Sequence, residues 1–522
     1  MILIYPPTAK PSEPPAGIAR LAGSLARHGV DCRLLDANIE GLRYLLKEPR
    51  AAADTWSRRA LRHRFDNLAA LGDSQIYGSP DRYARAVRDL QRALAVAAQD
   101  HGVILGLADY HHQRLSPLQS ADLLEAARHP DENPFYPYFR SRLPEIMAGV
   151  ERRIIGISLN YLSQALCAFA LIGCIRREFP GWQVVLGGGL VTSWLQRPGW
   201  RNPFAGLVDQ LVAGPGERPL LDLLGIDDPQ EEDGIPEYGS LPLTDYVAPG
   251  FILPYSASSG CYWNKCAFCP ERAEDNRYHP LPVERVLTDL QGLVAATNPV
   301  LLHLLDNAIS PQLLRALANR PPGVPWYGFA RIGRELTQVD FCRALKDSGC
   351  VMLKLGLESG DQGVLDAMGK GIELEMASLA MQNLKETGIA VYLYLLFGTP
   401  AETLEEARKT LAFVVRHHEA ISFLNLAIFN MPACGPEAEV YETQQFYAGD
   451  LSLYTAFRHP RGWGRKEVRH FLDHEFKAHP AIAALLKNDP PLFTSNHAAL
   501  RYMYKDLLIQ RFDHVGEQET NQ

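Results

Sequence analysis

The sequence contains no hydrophobic run long enough to cross a membrane. Its longest nearly unbroken apolar stretch covers residues 165–175, whereas a membrane-spanning helix needs about 20 residues. Residues 1–7 also lack the basic flank and the length of a secretory signal peptide. We therefore expect a cytoplasmic protein with no membrane partner.

The sequence also lacks an excess of basic residues. Lys and Arg number 52 against 60 Asp and Glu, so the formal net charge is −8. This balance gives no electrostatic footprint for a phosphate backbone, and we expect no nucleic-acid partner. With 47% hydrophobic and 21% charged residues, the composition is that of a globular protein. The 522 residues suggest three domains at about 150 residues each.

Cysteine is too sparse for a disulfide framework. The chain has nine cysteines, an odd number, and a cytoplasmic chain of this size more often uses a tight cysteine cluster for ligation. There is one such cluster, formed by Cys261, Cys266 and Cys269, and no second Cys-x-x-Cys pair accompanies it.

The first part of the chain alternates strand and helix patterns. The predicted strands are residues 1–5, 32–35, 154–159, 184–186 and 210–213, with helices at 17–28 and 162–179. Such alternation predicts a parallel, doubly wound, Rossmann-like sheet. Residues from about 42 to 150 are helical in character and interrupt the series. We assign residues 1–240 to this domain, with 42–150 as a helical insertion.

A second alternating series follows a Pro- and Gly-rich stretch. Its strand candidates are residues 251–256, 300–305, 326–330, 352–357, 391–397 and 423–429, separated by helical patterns at 283–296, 338–346, 376–385 and 404–415. Six such units predict a partial (β/α)6 barrel over residues 245–434. Residues 435–522 are expected to form a small, mainly helical C-terminal cap. The expected fold class is α/β throughout.

The cysteine cluster lies on the loop after the first strand of this barrel, and strand-end loops carry the chemistry of parallel barrels. Dense thiolates suit zinc or an iron–sulfur cluster. Structural zinc needs four protein ligands, and no second pair supplies a fourth. Three thiolates on a 4Fe-4S cluster instead leave one iron open for a substrate or cofactor. Iron–sulfur ligation is favoured, with structural zinc and unliganded thiols as alternatives.

Three clustered cysteines after the first strand of a six-fold β/α series resemble the radical S-adenosylmethionine (radical SAM) enzymes. At the end of the fourth strand, the segment Gly356-Leu357-Glu358-Ser359-Gly360 resembles the part of that family that contacts ribose and methionine. The turn after the fifth strand resembles its Gly-x-Pro-x-Glu-Thr turn near the adenine. The resemblance assigns S-adenosylmethionine binding to Asp306, Arg331, Gly356, Glu358, Ser359, Gly398 and Pro400.

The cysteine loop departs from the family in its spacing. Four residues separate Cys261 from Cys266, where the family usually has three. A Gly-Cys-Tyr-Trp start of this kind resembles a subgroup of the cobalamin-binding members. Phe268 is expected to pack beside the cluster and shield it from water. The family's Gly-Gly-Glu after the second strand is also missing, which makes the placement of Asp306 depend on position alone.

The N-terminal half resembles the cobalamin-binding domain that precedes many radical SAM barrels. Asp36, Asn38 and Gly41 lie where such domains show Asp-x-His-x-x-Gly, and Asn38 takes the place of the histidine. Because an amide is a poor cobalt ligand, a bound corrinoid should lack a histidine ligand from this motif. The remaining corrinoid contacts implied by the resemblance are Ser158, Leu159, Gly187, Gly188 and Gly189. The alternatives are an empty domain and a nucleotide-binding one.

The resemblance implies reductive cleavage of S-adenosylmethionine to a 5′-deoxyadenosyl radical and, with cobalamin, methylation of an unactivated carbon. It also implies a small-molecule or peptide substrate and a flavodoxin- or ferredoxin-type reductant. Ring formation or rearrangement without methyl transfer is one alternative, and a non-catalytic iron–sulfur or corrinoid sensor is another.

Cys434 is a candidate catalytic thiol, although a buried inert cysteine is the default. His470 and His474 have metal-pair spacing, and Trp463 is a candidate pocket residue.

Overall fold

The computed structural model describes residues 1–48, 50–197, 199–227, 234–444, 449–491 and 496–504. These residues form two compact units. The first takes in the described residues up to 251, together with 449–453 and 491, and the second takes in the remainder. Within the described part of the chain, no helix combines the length and the apolar character needed to span a bilayer.

The first unit is built on a parallel sheet. Its strands are β1 (Ile2–Tyr5), β2 (Arg33–Asp36), β3 (Val103–Leu105), β4 (Tyr110–His112), β5 (Ile154–Ser158), β6 (Gln183–Gly187) and β7 (Gln210–Leu211). Five of them form one sheet in the order β2-β1-β5-β6-β7, and every pair is parallel. The predicted doubly wound sheet is therefore confirmed. The strand order reverses between β1 and β5, which is where ligands bind in open α/β sheets.

Helices cover this sheet and fill the insertion. They are α1 (Ala16–Arg27), α2 (Ala37–Lys47), α3 (Thr55–Arg62), α4 (Arg64–Leu71), α5 (Ser74–Tyr77), α6 (Pro80–Ala98), α7 (Ser120–Arg128), α8 (Tyr136–Met147), α9 (Leu162–Glu178), α10 (Gly189–Leu195) and α11 (Glu217–Leu223). Every residue of α9 from Gln164 to Ile175 is buried. The longest apolar stretch of the sequence is thus a core helix, apolar on all sides because it is covered on all sides.

The insertion is mostly helical, as predicted, but it also contains an antiparallel hairpin that the sequence does not predict. Its strands, β3 and β4, pair Val103 with His112 and Leu105 with Tyr110. Each strand has three residues, too few to show an alternating pattern.

The second unit contains the predicted barrel. Its strands are β8 (Ile252–Tyr255), β9 (Ser258–Ser259), β10 (His279–Pro280), β11 (Leu301–Leu304), β12 (Trp326–Ala330), β13 (Cys350–Glu358), β14 (Ala390–Phe397), β15 (Phe423–Ile428), β16 (Met431–Pro432), β17 (Thr443–Gln444) and β18 (Tyr454–Phe457). Six form a parallel sheet in the sequential order β8-β11-β12-β13-β14-β15. These six coincide with the six predicted strands, so the partial (β/α)6 architecture is confirmed.

The helices of the second unit are α12 (Pro270–Ala273), α13 (Val283–Thr297), α14 (Pro311–Asn319), α15 (Val339–Asp347), α16 (Gln362–Ala367), α17 (Leu374–Thr387), α18 (Leu404–His417), α19 (Glu437–Val440), α20 (Arg465–Phe471) and α21 (Pro480–Leu486). Beyond the barrel, β16, β18 and β17 form a small antiparallel sheet that the predicted helical cap does not include. Part of the same region belongs to the first unit, where Asp450 accepts hydrogen bonds from the backbone N–H and hydroxyl of Ser120.

Candidate active site

The three clustered cysteines lie on the loop between β9 and α12. Cys266 is buried, and Cys261 and Cys269 are half-buried. Burial raises the pKa of the Cys266 thiol, and it raises the pKa of Cys269 to about 11. Both thiols are therefore neutral near pH 7 until a cation binds, because metal coordination deprotonates a thiol. Among the described residues, no three His, Cys, Asp or Glu side chains are placed to share a single metal ion.

Apolar side chains line one side of this loop. Phe268, immediately before Cys269, packs against the buried cluster of Val364, Leu365 and Met368. The ammonium of Lys370 lies 5.4 Å from the centre of the Phe268 ring. Phe268 thus joins the cysteine loop to α16 and to the residues that follow it.

A buried ion pair stands at the C-terminal end of β13. The Lys370 ammonium contacts the Glu358 carboxylate at 2.8 Å, and the two side chains are 8% and 12% exposed. Glu358 has a φ of +72°, and the pairing of β13 with β14 shifts register between Gly356 and Glu358. A Cβ at position 356 would lie 2.5 Å from Glu358 Oε1 and 2.9 Å from Lys370 Nζ. Glycine is required at position 356 because any side chain there would overlap the Glu358–Lys370 pair.

Arg331 joins this pair to the cysteine loop. Its guanidinium lies 4.0 Å from the centre of the Trp263 ring and donates a hydrogen bond to the carbonyl of Lys370. Of the residues assigned to S-adenosylmethionine by resemblance, Arg331, Gly356 and Glu358 therefore share one neighbourhood with the cysteine loop.

Two other assigned residues have protein partners. The buried Asp306 carboxylate accepts hydrogen bonds from the N–H of Ala257 and the hydroxyl of Ser258, and burial raises its pKa. The buried Ser359 hydroxyl lies 3.2 Å from that of Thr410 and accepts from the N–H of Asp361. Both side chains shape the loops around the site, and their assignment to S-adenosylmethionine stays a prediction.

A cavity of about 50 Å³ adjoins Gly398 at the end of β14. Its other walls come from the residues after β15 and from the segment that includes Phe457, His459 and Trp463. Of the residues in this C-terminal segment, the sequence analysis named only Trp463 as a pocket candidate. The one signal for it in the sequence is the concentration of aromatic and basic residues at 457–469.

Glu402 closes the turn beside this cavity and is fully buried. Its Oε2 accepts hydrogen bonds from the N–H of Gly398 and the indole N–H of Trp463, the latter at 2.9 Å. Glu402 Oε1 and the hydroxyl of Thr399 are buried without a partner in the described structure. Gly398 and Pro400 belong to the same turn, which thus holds two buried polar atoms with unused hydrogen-bonding capacity.

Replacing Glu402 with Gln should remove a pH dependence of stability. Burial raises the pKa of Glu402 from 4.5 to about 7, so the folded state keeps a proton that the unfolded state has lost. Stability from this group is therefore greatest at low pH and declines as the pH rises from about 4.5 to about 7, by at most about 1.4 kcal/mol per pH unit. Urea unfolding at pH 5 and pH 7 should show the advantage of the wild type over Glu402→Gln shrinking by about 2 kcal/mol. An advantage that stays constant with pH would contradict this assignment.

In the first unit, Asp36 is the last residue of β2 and caps the N-terminus of α2. Its Oδ1 accepts hydrogen bonds from the N–H groups of Asn38 and Ile39, and its Oδ2 accepts from the Tyr246 hydroxyl at 2.8 Å. Burial raises the pKa of Asp36 to about 7. Gly41, further along α2, lies against Phe135, whose ring atom would be 3.0 Å from a Cβ there. Asp36 and Gly41 thus shape the segment around Asn38.

Asn38, at the position of the expected histidine, is buried and makes two hydrogen bonds to one residue. Its Oδ1 accepts from the N–H of Ala9 at 2.9 Å, and its Nδ2 donates to the carbonyl of Ala9 at 3.1 Å. The side-chain amide therefore holds the loop after β1 against α2.

Asn38→Ala should destabilise the chain by about 2 kcal/mol, because it leaves a buried N–H and a buried carbonyl of Ala9 unpaired. The measurement is urea unfolding of the full chain. The exposed residue Arg85 on α6 provides a control, since Arg85→Ala should change stability by less than about 0.5 kcal/mol. Equal stability of the two variants would show that the Asn38 amide contributes nothing to the fold.

The remaining residues predicted for cobalamin lie where β5 and β6 end. The Ser158 hydroxyl accepts from the Asn160 amide at 3.0 Å, and the buried Leu159 exchanges backbone hydrogen bonds with Gly187 and Leu190. Gly188 has a φ of +105°, and a Cβ there would overlap the Leu159 carbonyl. Glycine at 188 is thus required by the protein backbone itself, whereas Gly187 and Gly189 meet no atom closer than 3.5 Å.

Nothing in the sequence marks Lys354, which is 5% exposed on β13. Its ammonium lies 2.9 Å from His303 Nε2 and about 5 Å from the rings of Tyr327 and Phe329. Alternation along the strand puts Lys354 on the same face as Gly356. The sequence does not indicate a role for Lys354, because its apolar neighbours make β13 resemble a uniformly buried strand.

The remaining candidate residues, Cys434, His470 and His474, lie outside the cysteine loop. Cys434 is half-buried on the turn after β16, and the next residue, Gly435, packs against Ala273 of α12. This turn is tied to α12 by an Arg272–Glu437 ion pair at 2.6 Å. The rings of His470 and His474 are 4.5 Å apart, without a third metal-ligating group among the described residues.

Comparison with known proteins agrees with this geometry. Residues 255–414 match the Radical SAM superfamily. An uncharacterized methyltransferase of Pyrococcus horikoshii is 29% identical over 193 residues, which are 35% of this chain and 41% of the relative. The anaerobic magnesium-protoporphyrin IX monomethyl ester cyclase of Rubrivivax gelatinosus is 28% identical over 215 residues, 38% of this chain and 37% of the relative. The chain thus spans about two fifths of the length of these two relatives.

Two solved structures of TsrM, a radical S-adenosylmethionine methyltransferase from Kitasatospora setae, share the fold. The structure with tryptophan substrate and a SAM analogue has a TM-score of 0.55 and 14% identity, covering 94% of this chain and 89% of TsrM. The structure with cobalamin and a [4Fe-4S] cluster has a TM-score of 0.51 and 15% identity, covering 83% and 73%. Residues 255–414 are therefore similar to the Radical SAM superfamily, and most of the chain shares the fold of TsrM.

Proposed function

We propose that this chain is a cobalamin-dependent radical SAM enzyme that methylates an unactivated carbon of a small molecule or peptide. The observation that carries the proposal is the placement of three clustered thiols beside the Glu358–Lys370 pair, at the C-terminal ends of the barrel strands. These two elements come from segments about a hundred residues apart in the sequence. Their convergence in one radical SAM domain supports a site that binds a cluster and S-adenosylmethionine together.

The donor set fits a 4Fe-4S cluster. Cys261, Cys266 and Cys269 would hold three irons, and the absence of a fourth cysteine on the loop leaves one iron for another ligand. When bound, such a cluster chelates S-adenosylmethionine and supplies one electron to it. Phe268 and the apolar side chains of α16 would exclude water from the side next to Cys269, which strengthens electrostatic interactions there.

The turn at Gly398, which borders the cavity at the end of β14, is the proposed site for the adenosyl part of S-adenosylmethionine. The cavity itself is about 50 Å³, which is smaller than a typical small-molecule pocket, and Gly398 lines it. The turn that bounds it holds the unpartnered Thr399 hydroxyl and Glu402 Oε1. Arg331, Glu358 and Lys370 would bind the methionyl end, where opposite charges are needed for its amino and carboxylate groups.

The first unit would hold cobalamin. Its strand order reverses between β1 and β5, and the predicted residues Ser158, Leu159 and Gly187 lie at the strand ends near that reversal. TsrM, which shares the fold, was solved with cobalamin bound. Because the Asn38 amide is committed to Ala9, no cobalt ligand comes from that position. When bound, cobalamin supplies a carrier for the methyl group, and the protein supplies placement.

The proposed reaction needs a one-electron donor, and a flavodoxin- or ferredoxin-type protein is the proposed partner. The first test uses the full chain, purified anaerobically from cells supplied with cobalamin and iron. We expect about four iron atoms per chain, corrinoid absorbance that stays with the protein on gel filtration, and 5′-deoxyadenosine after addition of dithionite and S-adenosylmethionine.

The products separate the proposal from its alternatives. Formation of S-adenosylhomocysteine by the reduced holoprotein supports methyl transfer. 5′-Deoxyadenosine without S-adenosylhomocysteine or bound corrinoid would favour ring formation or rearrangement, in line with the similarity to a cyclase. The absence of both products from an iron-loaded protein would overturn the enzyme assignment and favour a sensor.

A further inference from the structure

The loop between Cys261 and Cys266 carries one more residue than the usual spacing. Its tip, Asn264 and Lys265, is exposed, and Asn264 adopts a left-handed conformation with φ of +43°. A four-residue excursion with an exposed tip has many conformations in the absence of bound metal. Something in the protein must limit them if the two thiols are to be ready for ligation.

Trp263 makes three contacts with residues outside this loop, and these contacts limit the loop. Its indole N–H donates to the carbonyl of Gly369 at 3.0 Å. One face of its ring lies under the Arg331 guanidinium, 4.0 Å from the ring centre. The ring also fills the space over Gly371, where a Cβ would overlap it. A second brace lies beyond Cys266, where the N–H of Ala267 donates to the carbonyl of Met368 at 2.9 Å.

The segment that receives these contacts is itself firmly held. The N–H groups of Met368, Gly369 and Lys370 donate to the carbonyls of Val364, Asp366 and Leu365 in the last turn of α16. The Lys370 side chain is buried against Glu358. Residues 368–371 therefore form a fixed support, and Trp263 lies against it.

We propose that Trp263 is a positioning residue that holds the cysteine loop in its ligating conformation before any cluster is inserted. Gly371 is the complementary position, because only glycine leaves room for the indole. The extra residue of the loop is thus accommodated by an anchor and adds no mobile length. This inference rests on the proposed function only in its assignment of the cysteines as cluster ligands.

The test measures the loop in the metal-free protein. Lys265 is at the exposed loop tip, with its ammonium 4.9 Å from the centre of the Trp263 ring. Because trypsin needs a locally opened chain, it cleaves after Lys265 when the loop opens. In the apoprotein, Trp263→Ala should raise the rate of cleavage after Lys265 by at least about tenfold, as expected for loss of a local closed state. Trp263→Phe keeps a ring beneath Arg331 but loses the indole N–H, and it should give an intermediate rate. Circular dichroism and thermal melting check that each variant is folded.

Gly371→Ala tests the contact between Trp263 and residues 368–371 from the side of Gly371. It should raise cleavage after Lys265 in the wild-type background but add nothing in the Trp263→Ala background, where the indole is already absent. The matched control is Gly323→Ala, at a glycine with φ of +83° and no atom within 4 Å of a Cβ. Gly371 has a φ of +62°, so this control also places Ala in the left-handed region, and it should leave cleavage after Lys265 unchanged.

Unchanged cleavage after Lys265 in folded Trp263→Ala and Gly371→Ala would overturn the inference, as would equal effects of Gly371→Ala in both backgrounds. A further readout is iron loss from the reconstituted protein to a chelator, which should be faster in Trp263→Ala. Failure of the proposed function gives a different result. In that case the wild-type chain takes up no iron, while the apoprotein still shows the Trp263-dependent protection of Lys265.

Discussion

Cys266→Ala is expected to abolish cluster binding, with loss of the visible absorbance of the reconstituted protein and of dithionite-dependent 5′-deoxyadenosine formation. Three thiolates are the only protein ligands on the loop, and two are too few to hold a four-iron cluster against loss to solvent. Cys266 is also the most buried of the three, so no water-exposed group replaces it. We expect loss to the background of the assay.

The control for this variant is Cys342→Ala. Cys342 is another buried thiol of the second unit, on α15, where its sulfur contacts the carbonyl of Leu336 at 3.4 Å. It lies outside the cysteine loop, and its removal should leave iron content and absorbance unchanged. Full absorbance in Cys266→Ala, or equal losses in the two variants, would contradict ligation by the 261–269 loop.

Lys370→Met is expected to destabilise the protein by about 3 kcal/mol, because it leaves the Glu358 carboxylate buried without its cation. The two side chains are 8% and 12% exposed and 2.8 Å apart, so water cannot take the place of the ammonium. Urea unfolding of the metal-free full chain measures the loss. The double variant Glu358→Gln with Lys370→Met should recover much of it, since a neutral amide costs less to bury.

A second lysine–glutamate pair of the same unit is the control for the effect of burial on stability. Lys385 and Glu419 are 2.6 Å apart, but their side chains are 49% and 69% exposed. Lys385→Met should cost less than about 1 kcal/mol, the usual value for an exposed pair. Similar losses in Lys370→Met and Lys385→Met would show that the Glu358–Lys370 pair is solvated and does not depend on burial.

The strands of both sheets were predictable because each is a short apolar run bounded by turn residues. The residues of β12 are predicted without error, and the other barrel strands within two residues. Strands that are too short to show a pattern were not predictable, and β3, β4 and β17 are examples. Their pairing depends on partners that the sequence does not place near one another.

The clustering of the three cysteines was predictable for a local reason. Cys261, Cys266 and Cys269 lie within one loop, so their spacing in the sequence limits their distance in space. Asn38 shows where such reasoning fails. Its position in the motif says that a histidine is missing, but only the structure shows the amide bonded to Ala9. The same holds for Gly188, whose glycine is explained by the carbonyl of Leu159.

The sequence by itself determined the alternation of strands and helices, the number of barrel strands and the identity of the clustered thiols, since each depends on neighbours along the chain. The tertiary structure alone decided what surrounds those thiols. Trp263 meets Gly371, and Glu358 meets Lys370, because β13 and the turn after α16 converge on the cysteine loop. Such contacts depend on how distant segments pack, and no local pattern of residues encodes them.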